Sequence, residues 1–191
     1  MTSTSEGKPG AARYRIDPGR SRFMIKAFAT GMLSAFAHNP TIAIRDFTGE
    51  VEFSPDAPEH SSLSIRVQSG SLEVVDEVSD KDRRDMERQI REDVLETERY
   101  PEIVFESSAV SADRAAGQYR AKIKGDVTLR GLTRTCEITA QIIAGPDALR
   151  AHGEFPLKQS DFNIKPVTAV GGTIKLKDEL KFTFDIVAQK Q

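Results

Sequence analysis

Residues 119–130 read YRAKIKGDVTLR, and their apolar and polar side chains alternate almost without interruption. Side chains of a β-strand point to opposite faces in turn, so this stretch predicts a strand with one dry face and one wet face. Such a strand belongs to an antiparallel sheet that faces water on one side and an interior on the other. The dry face is expected to carry Tyr119, Ala121, Ile123, Gly125, Val127 and Leu129.

The same alternation recurs along most of the chain. In residues 41–53 the apolar parity changes between Ile44 and Phe47, which predicts a bulge or bend near Asp46. About eight to ten strands are therefore expected, and a parallel doubly wound sheet is excluded because its strands are apolar on both faces. A β-sandwich or an up-and-down barrel remains. The other alternating stretches are residues 14–17, 21–29, 61–68, 101–110, 135–142, 149–157 and 173–188.

One segment has a different pattern. Residues 79–101 are rich in charge, contain no glycine and end at a proline. Ser79 or Asp80 supplies a side chain that can cap a first helical turn. The apolar stripe is narrow, so we expect a single helix on the surface that closes the sheet at one place. The stripe recurs at every fourth position, which is helical spacing, and consists of Met86, Ile90 and Val94.

Composition restricts the partners and the setting of the protein. Its 191 residues suit one domain, which we place at residues 13–191 after a disordered tail of residues 1–12. With 27 Lys and Arg against 29 Asp and Glu, the chain lacks the positive charge that neutralises a nucleic-acid backbone, so no nucleic-acid partner is expected. Neither a secretory leader nor a membrane-length apolar run is apparent, so we expect a cytoplasmic protein without a transmembrane segment.

Candidate catalytic groups are few. The histidines are His38, His60 and His152, and no two of them have the spacing of a metal site. The single cysteine, Cys136, has the parity of the dry face and is expected to be a buried, unreactive thiol. Nucleophile elbows and phosphate-binding glycine loops are absent from the sequence. We therefore expect a binding protein that is not an enzyme.

Two other functional classes stay open at this point. One is a barrel enzyme or stress-response factor that uses His38 with nearby acids such as Asp46 or Asp161. The other is a structural interaction module whose interior is filled by its own side chains. Periodicity does not distinguish a filled interior from a hollow one, in which burial of apolar ligand surface would contribute ~25 cal/mol per Å².

Several longer motifs of the chain form a recognisable set. They are YRIDPGRSRFMIKA (14–27), FTGEVEF (47–53), VLETERYPEIVFESSAV (94–110), IKGDVTLRGLTRTCEI (123–138) and FPLKQSDFNI (155–164). Together they resemble the YceI-like proteins, which are lipocalin-like and bind polyisoprenoids, and the resemblance runs from residue 14 to residue 188. It implies a mainly all-β fold, namely an extended antiparallel up-and-down barrel of about eight strands with one surface helix.

The resemblance also implies a function. It predicts a non-catalytic carrier for a lipophilic ligand, a polyisoprenoid or an isoprenoid-quinone-like lipid, held in the apolar barrel interior without a metal or cofactor. Ile90 and Leu95 are expected to contribute where the helix closes one end of the barrel. The other expected contacts, carried over by strand parity or taken from the apolar insertion at 30–40, are Phe23, Ile25, Phe36, Ile103, Phe105, Val127, Leu129, Ile138, Phe155, Phe162 and Phe182.

The chain departs from the family pattern in two places. A motif that commonly reads RSDFG has Gln159 and Asn163 at the positions of its arginine and glycine. If the arginine positions a ligand head group, Lys158 or Lys165 is expected to replace it. The insertion at 30–40 is either a mobile flap at the barrel mouth or a connection packed on the core. A homodimer is a further expectation, because barrels with exposed edges at a mouth often pair.

Overall fold

The computed structural model describes residues 10–31, 39–169 and 174–191. One α-helix, α1 (Asp80–Gln89), continues as a π-helix at Ile90–Val94. Short 3₁₀-helices lie at Pro18–Arg20, Pro58–His60, Ser69–Ser71 and Gln159–Phe162. The strands, in chain order, are β1 (Ala12–Ile16), β2 (Arg22–Lys26), β3 (Ala29–Thr30), β4 (Thr41–Ile44), β5 (Phe47–Phe53), β6 (Ser62–Gln68), β7 (Leu72–Val74), β8 (Glu102–Ala115), β9 (Gln118–Leu129), β10 (Leu132–Ala144), β11 (Ala148–Lys158), β12 (Thr168–Ala169), β13 (Ile174–Leu176) and β14 (Glu179–Lys190).

Eight strands close into an antiparallel barrel. Their order around the wall is β1–β5–β6–β8–β9–β10–β11–β14, and β14 pairs with β1 to complete the ring. The closing register sets Tyr14 opposite Lys190 and Ile16 opposite Ala188. The expected barrel of about eight strands is thereby confirmed. Three short strands, β12, β13 and β3, form a separate small sheet.

Three positions in the wall hold strands that are interrupted along their length. β1 and β2 both pair with β14, one after the other, and are separated by the turn at Pro18–Arg20. β5 and β4 are separated at residues 45–46, and β6 and β7 at Ser69–Ser71. The bend expected near Asp46 is therefore a junction between two strands. The segments β2, β4 and β7 extend the wall at one end of the barrel.

The helix α1 covers the outer edge of that extension. The Arg83 guanidinium donates hydrogen bonds to the backbone oxygens of Val74 and Asp76. The Val74 N–H donates in turn to the Glu87 carboxylate at 3.1 Å. Arg83 and Glu87 of α1 therefore bind backbone groups at the outer edge of β7, which a neighbouring strand would otherwise bind.

The helix is capped as the sequence predicts but ends differently. The Ser79 side chain accepts a hydrogen bond from the N–H of Asp82. The α-helix stops at Gln89 rather than running toward residue 101, and a π-helical turn follows it. In this turn the Leu95 N–H donates to the Ile90 oxygen at 2.9 Å. Within the described ranges no helix combines the length and the apolar character needed to cross a membrane.

The start of the barrel requires one correction to the predicted domain boundary. Ala12 is paired with Phe53 in the β1–β5 ladder, so the last residue of the predicted tail belongs to the wall. Hydrogen bonds to β5 hold this terminal strand in place, so order begins before residue 13, where composition alone had placed the start of the domain. The predicted disorder of residues 1–9 lies outside the described residues.

Two inward-facing glycines let aromatic rings lie close to the barrel wall. A Cβ atom at Gly125 would lie 2.4 Å from Cζ of Phe105. A Cβ atom at Gly153 would lie 2.8 Å from Cζ of Phe184 and 2.3 Å from the backbone oxygen of Thr139. Each ring therefore occupies the space above a glycine on a neighbouring strand, and the lumen stays open in front of it.

Replacing Gly153 with alanine is expected to lower the free energy of unfolding by about 1–3 kcal/mol, because the added methyl group overpacks the site. Urea or thermal denaturation measures the change. Gly70→Ala is the matched control, since nothing lies within 4 Å of the position of its Cβ. Equal stability of the two variants would contradict the close packing of Phe184 on Gly153.

Candidate functional site

The dry faces of the strands surround two apolar cavities inside the barrel. The first has a volume of about 170 Å³ and lies at the end where the π-helical turn at Ile90–Val94 packs. The second has a volume of about 100 Å³ and lies toward the opposite end, where β1 meets β14. The interior is thus hollow in two places, which argues against the structural module with a filled core.

The predicted ligand contacts converge on the first cavity. Phe36 lies outside the described residues. That the others touch a ligand stays a prediction. Strand parity accounts for the inward position of those on strands, whereas Ile90, Leu95 and Phe162 lie in or next to helical turns. The described candidates all line this cavity: Phe23, Ile25, Ile90, Leu95, Ile103, Phe105, Val127, Leu129, Ile138, Phe155, Phe162 and Phe182.

The π-helical turn closes the first cavity at one end. Ile90, Val94 and Leu95 all line the cavity. A π-helix has a wider turn than an α-helix, so residues four and five positions after Ile90 lie on the same face. Met86, one α-helical turn earlier, is not a lining residue. Of the apolar stripe predicted from a spacing of four residues, Ile90 and Val94 therefore line the cavity and Met86 does not, and Leu95 joins them.

The turn after β11 closes another part of the same cavity. Phe162 is only 1% exposed, and both it and Ile164 line the cavity. Between them Asn163 adopts a left-handed conformation with φ of 55°. Glycine adopts this conformation without strain, and asparagine tolerates it better than most residues. The substitution of asparagine for the family's glycine thus preserves the turn.

The lining of the first cavity includes one buried polar side chain. Gln159 is 6% exposed and its amide nitrogen donates to the Lys177 oxygen at 3.0 Å. Both lysines are exposed, but Lys158 also lines the cavity and Lys165 does not. Of the two lysines expected to replace the family's arginine, the structure therefore places only Lys158 at the cavity.

The second cavity was not anticipated by the sequence analysis, although several of its residues belong to predicted dry faces. Phe53, Leu149 and Ile186 contribute large side chains to it. Small residues at inward positions of long strands are the signal that identifies such a space. The wall is lined on five strands by alanines, namely Ala112, Ala121, Ala140, Ala151 and Ala188.

The single cysteine is placed where its chemistry is suppressed. Cys136 is half-buried and packs against the apolar cluster of the interior. Burial, with a smaller contribution from the negative charge of Asp126, raises the pKa of its thiol to about 11. The thiol is consequently protonated near neutral pH and is a poor nucleophile, as predicted.

The alternative catalytic set depends on His38, which lies outside the described residues, so that hypothesis stays a prediction. Its two acids, Asp46 and Asp161, are both exposed. His60 and His152 are exposed as well. Across residues 10–31, 39–169 and 174–191, no three His, Cys, Asp or Glu side chains group together in a way that could hold a metal ion.

Comparison with known sequences supports the resemblance of the motifs. A family model described as "YceI-like domain" matches residues 14–188. The UPF0312 protein of Pseudomonas putida strain W619 is 27% identical over 178 residues, covering 90% of this chain and 86% of that protein. The UPF0312 protein of Pseudomonas syringae pv. tomato is 28% identical over 192 residues, covering 97% and 92%.

Solved structures share the barrel at lower sequence identity. BcnA of Burkholderia cenocepacia superposes with a TM-score of 0.70 at 19% identity, covering 90% of this chain and 98% of BcnA. A polyisoprenoid binding domain from Saccharophagus degradans, implicated in plant cell wall breakdown, gives a TM-score of 0.67 at 10% identity. The matched region covers 95% of this chain and 99% of that domain. These likenesses establish a shared fold.

The buried thiol gives a prediction about reactivity. At about pH 8 we expect iodoacetamide to alkylate Cys136 roughly a hundredfold more slowly in the native protein than in urea, because the raised pKa lowers the thiolate fraction. Mass spectrometry of timed samples measures the rate. A Ser111→Cys, Cys136→Ala variant, whose thiol is exposed, should react at similar rates in both conditions. Native Cys136 reacting as fast as the unfolded protein would contradict the assigned environment.

Proposed function

Because the chain belongs to the YceI-like domain family, we propose that it is a non-catalytic carrier or sequestering protein for a lipophilic ligand held inside the barrel. The observation that carries the proposal is the lining of the two cavities, which consists of apolar side chains apart from a few polar residues near the ends. Such a lining offers little hydrogen bonding to a polar substrate but removes hydrocarbon from water.

The length of the apolar interior favours a ligand with a long chain. Along β14 the lining runs from Leu180 at the first cavity to Ala188 at the second. At ~3.4 Å per residue these eight steps cover roughly 27 Å of strand, or about 20 Å along the axis of a barrel with tilted strands. One leaflet of a bilayer has a hydrocarbon depth of about 15 Å, so the interior is longer than the chain of a lipid that fills one leaflet.

The class of ligand is proposed to be a polyisoprenoid or an isoprenoid-quinone-like lipid. The support is the family, together with the solved Saccharophagus degradans neighbour that is a polyisoprenoid binding domain. We propose that the polar end of the ligand lies next to Lys158 and Gln159, because these polar residues line the first cavity at the end covered by helices. Action in the cytoplasm and pairing as a homodimer stay predictions.

The direct test is to identify what the protein carries. Protein purified without detergent is extracted with organic solvent, and the extract is analysed by mass spectrometry. We expect a long-chain isoprenoid in the extract and saturable uptake of a fluorescent polyprenyl probe by the extracted protein. Absence of both a bound lipid and saturable uptake would contradict the proposal.

A charge placed in the lumen tests the site itself. Val127 is buried and lines the first cavity, so Val127→Asp would place a carboxylate in apolar surroundings at a cost of several kcal/mol if it stays ionised. We expect at least about a tenfold loss of probe affinity, a loss of stability, or both. Titration with the polyprenyl probe and thermal denaturation measure the two effects.

Ser111→Asp is the matched control for this variant. Ser111 is exposed on the outer face of β8 and lies opposite Lys122 in the ladder with β9, so the new carboxylate faces water and a cation. We expect unchanged probe binding and unchanged stability. Identical behaviour of Val127→Asp and Ser111→Asp would mean that position 127 does not face a binding lumen.

A further inference from the structure

The two cavities meet at a narrow ring of side chains. Four residues line both cavities and come from β2, β6, β10 and β11, so they lie around the lumen rather than on one side of it. We call this ring the constriction. It consists of Phe23, Ile65, Ile138 and Phe155.

Phe23 is at the centre of an aromatic cluster at the constriction. Its ring centroid lies 6.3 Å from those of Phe47, Phe182 and Phe184, and 6.4 Å from that of Phe155. The contacts are edge-to-face or tilted, so no neighbouring ring stacks face to face on Phe23. Phe155, in contrast, stacks on Phe182 with a centroid distance of 5.1 Å and an interplanar angle of 17°.

Phe155 and Phe23 differ in burial and in the strand that carries them. Phe155 is 6% exposed and lies in the continuous strand β11. Phe23 also faces the interior and borders both cavities, yet it is only half-buried. It also lies on β2, the short strand that starts just after the interruption at residues 17–21. Rotation of the Phe23 side chain into cavity space is therefore the simplest way to widen the passage.

Building on the proposed function, we propose that the constriction, and Phe23 in particular, determines which chain lengths the protein binds. A short chain fills the first cavity and leaves Phe23 where it is. A longer chain displaces the Phe23 ring and continues into the alanine-lined second cavity. The residue thus separates a site for short chains from an extended site for long ones.

A constriction at Phe23 changes how affinity depends on the chain length of the ligand. Within a preformed apolar cavity, the association constant rises roughly fourfold for each methylene group that leaves water. The isoprenoid unit that reaches Phe23 is expected to add little, because its burial is offset by the ring contacts that it breaks. Units beyond it gain affinity again. Affinity plotted against chain length is therefore expected to show a plateau between two rising parts.

The experiment uses full-length protein and a series of isoprenoid alcohols that lengthen by one unit at a time. Each alcohol displaces a bound fluorescent polyprenyl probe. We expect the plateau in the wild-type protein and its loss in Phe23→Leu, which keeps an apolar side chain but opens the passage. Alcohols that reach the second cavity should gain at least about tenfold more affinity from Phe23→Leu than the shortest alcohols do.

Phe47→Leu provides the control for altered packing. Phe47 contacts the Phe23 ring but lines neither cavity, so this variant removes a ring from the cluster without opening the passage. It should keep the plateau, and thermal denaturation checks that both variants fold. Loss of the plateau in both variants would overturn the inference, as would a wild-type affinity that rises evenly with length. If no alcohol of any length binds, the proposed function fails with it.

Discussion

The pairing of β1 with β14 is the interaction on which the rest of the structure depends. It joins the first and last strands of the ring, with Tyr14 opposite Lys190, and leaves no open edge among the eight wall strands. Only a closed ring gives the inward side chains of every wall strand one common space. The same inward set in an open sheet would face solvent or another layer, and the chain would have no lumen to line.

Closure alone does not make the lumen hollow. An eight-stranded barrel is narrow enough for its own side chains to fill, so residue size at inward positions decides the outcome. Here alanines line the second cavity, and Gly125 and Gly153 let the rings of Phe105 and Phe184 lie against the wall. Empty apolar volume lowers stability relative to a filled core. A hydrocarbon ligand that fills it would therefore bind and stabilise the fold together.

Strand parity predicted which strand residues face the interior, because alternation is a local property of the sequence. Residues such as Val127 and Phe155 face inward whatever their neighbours are, provided that each strand forms. The features that were missed depend on distant parts of the chain. The π-helical turn and the second cavity follow from which elements lie side by side, and no single stretch contains that information. The turn at Asn163 lies between these two cases. The sequence of this chain alone does not predict its left-handed conformation, but the glycine that the family has at this position indicates it.

The most direct measurement of the central claim is a crystal structure of the protein with an isoprenoid alcohol that carries a bromine atom at the end of its chain. Anomalous scattering locates the bromine without reference to the protein's own atoms. The account predicts one ordered bromine inside the barrel, surrounded by apolar side chains of the wall. Bromine found only on the outer surface, with the lumen occupied by the protein's own side chains, would contradict it.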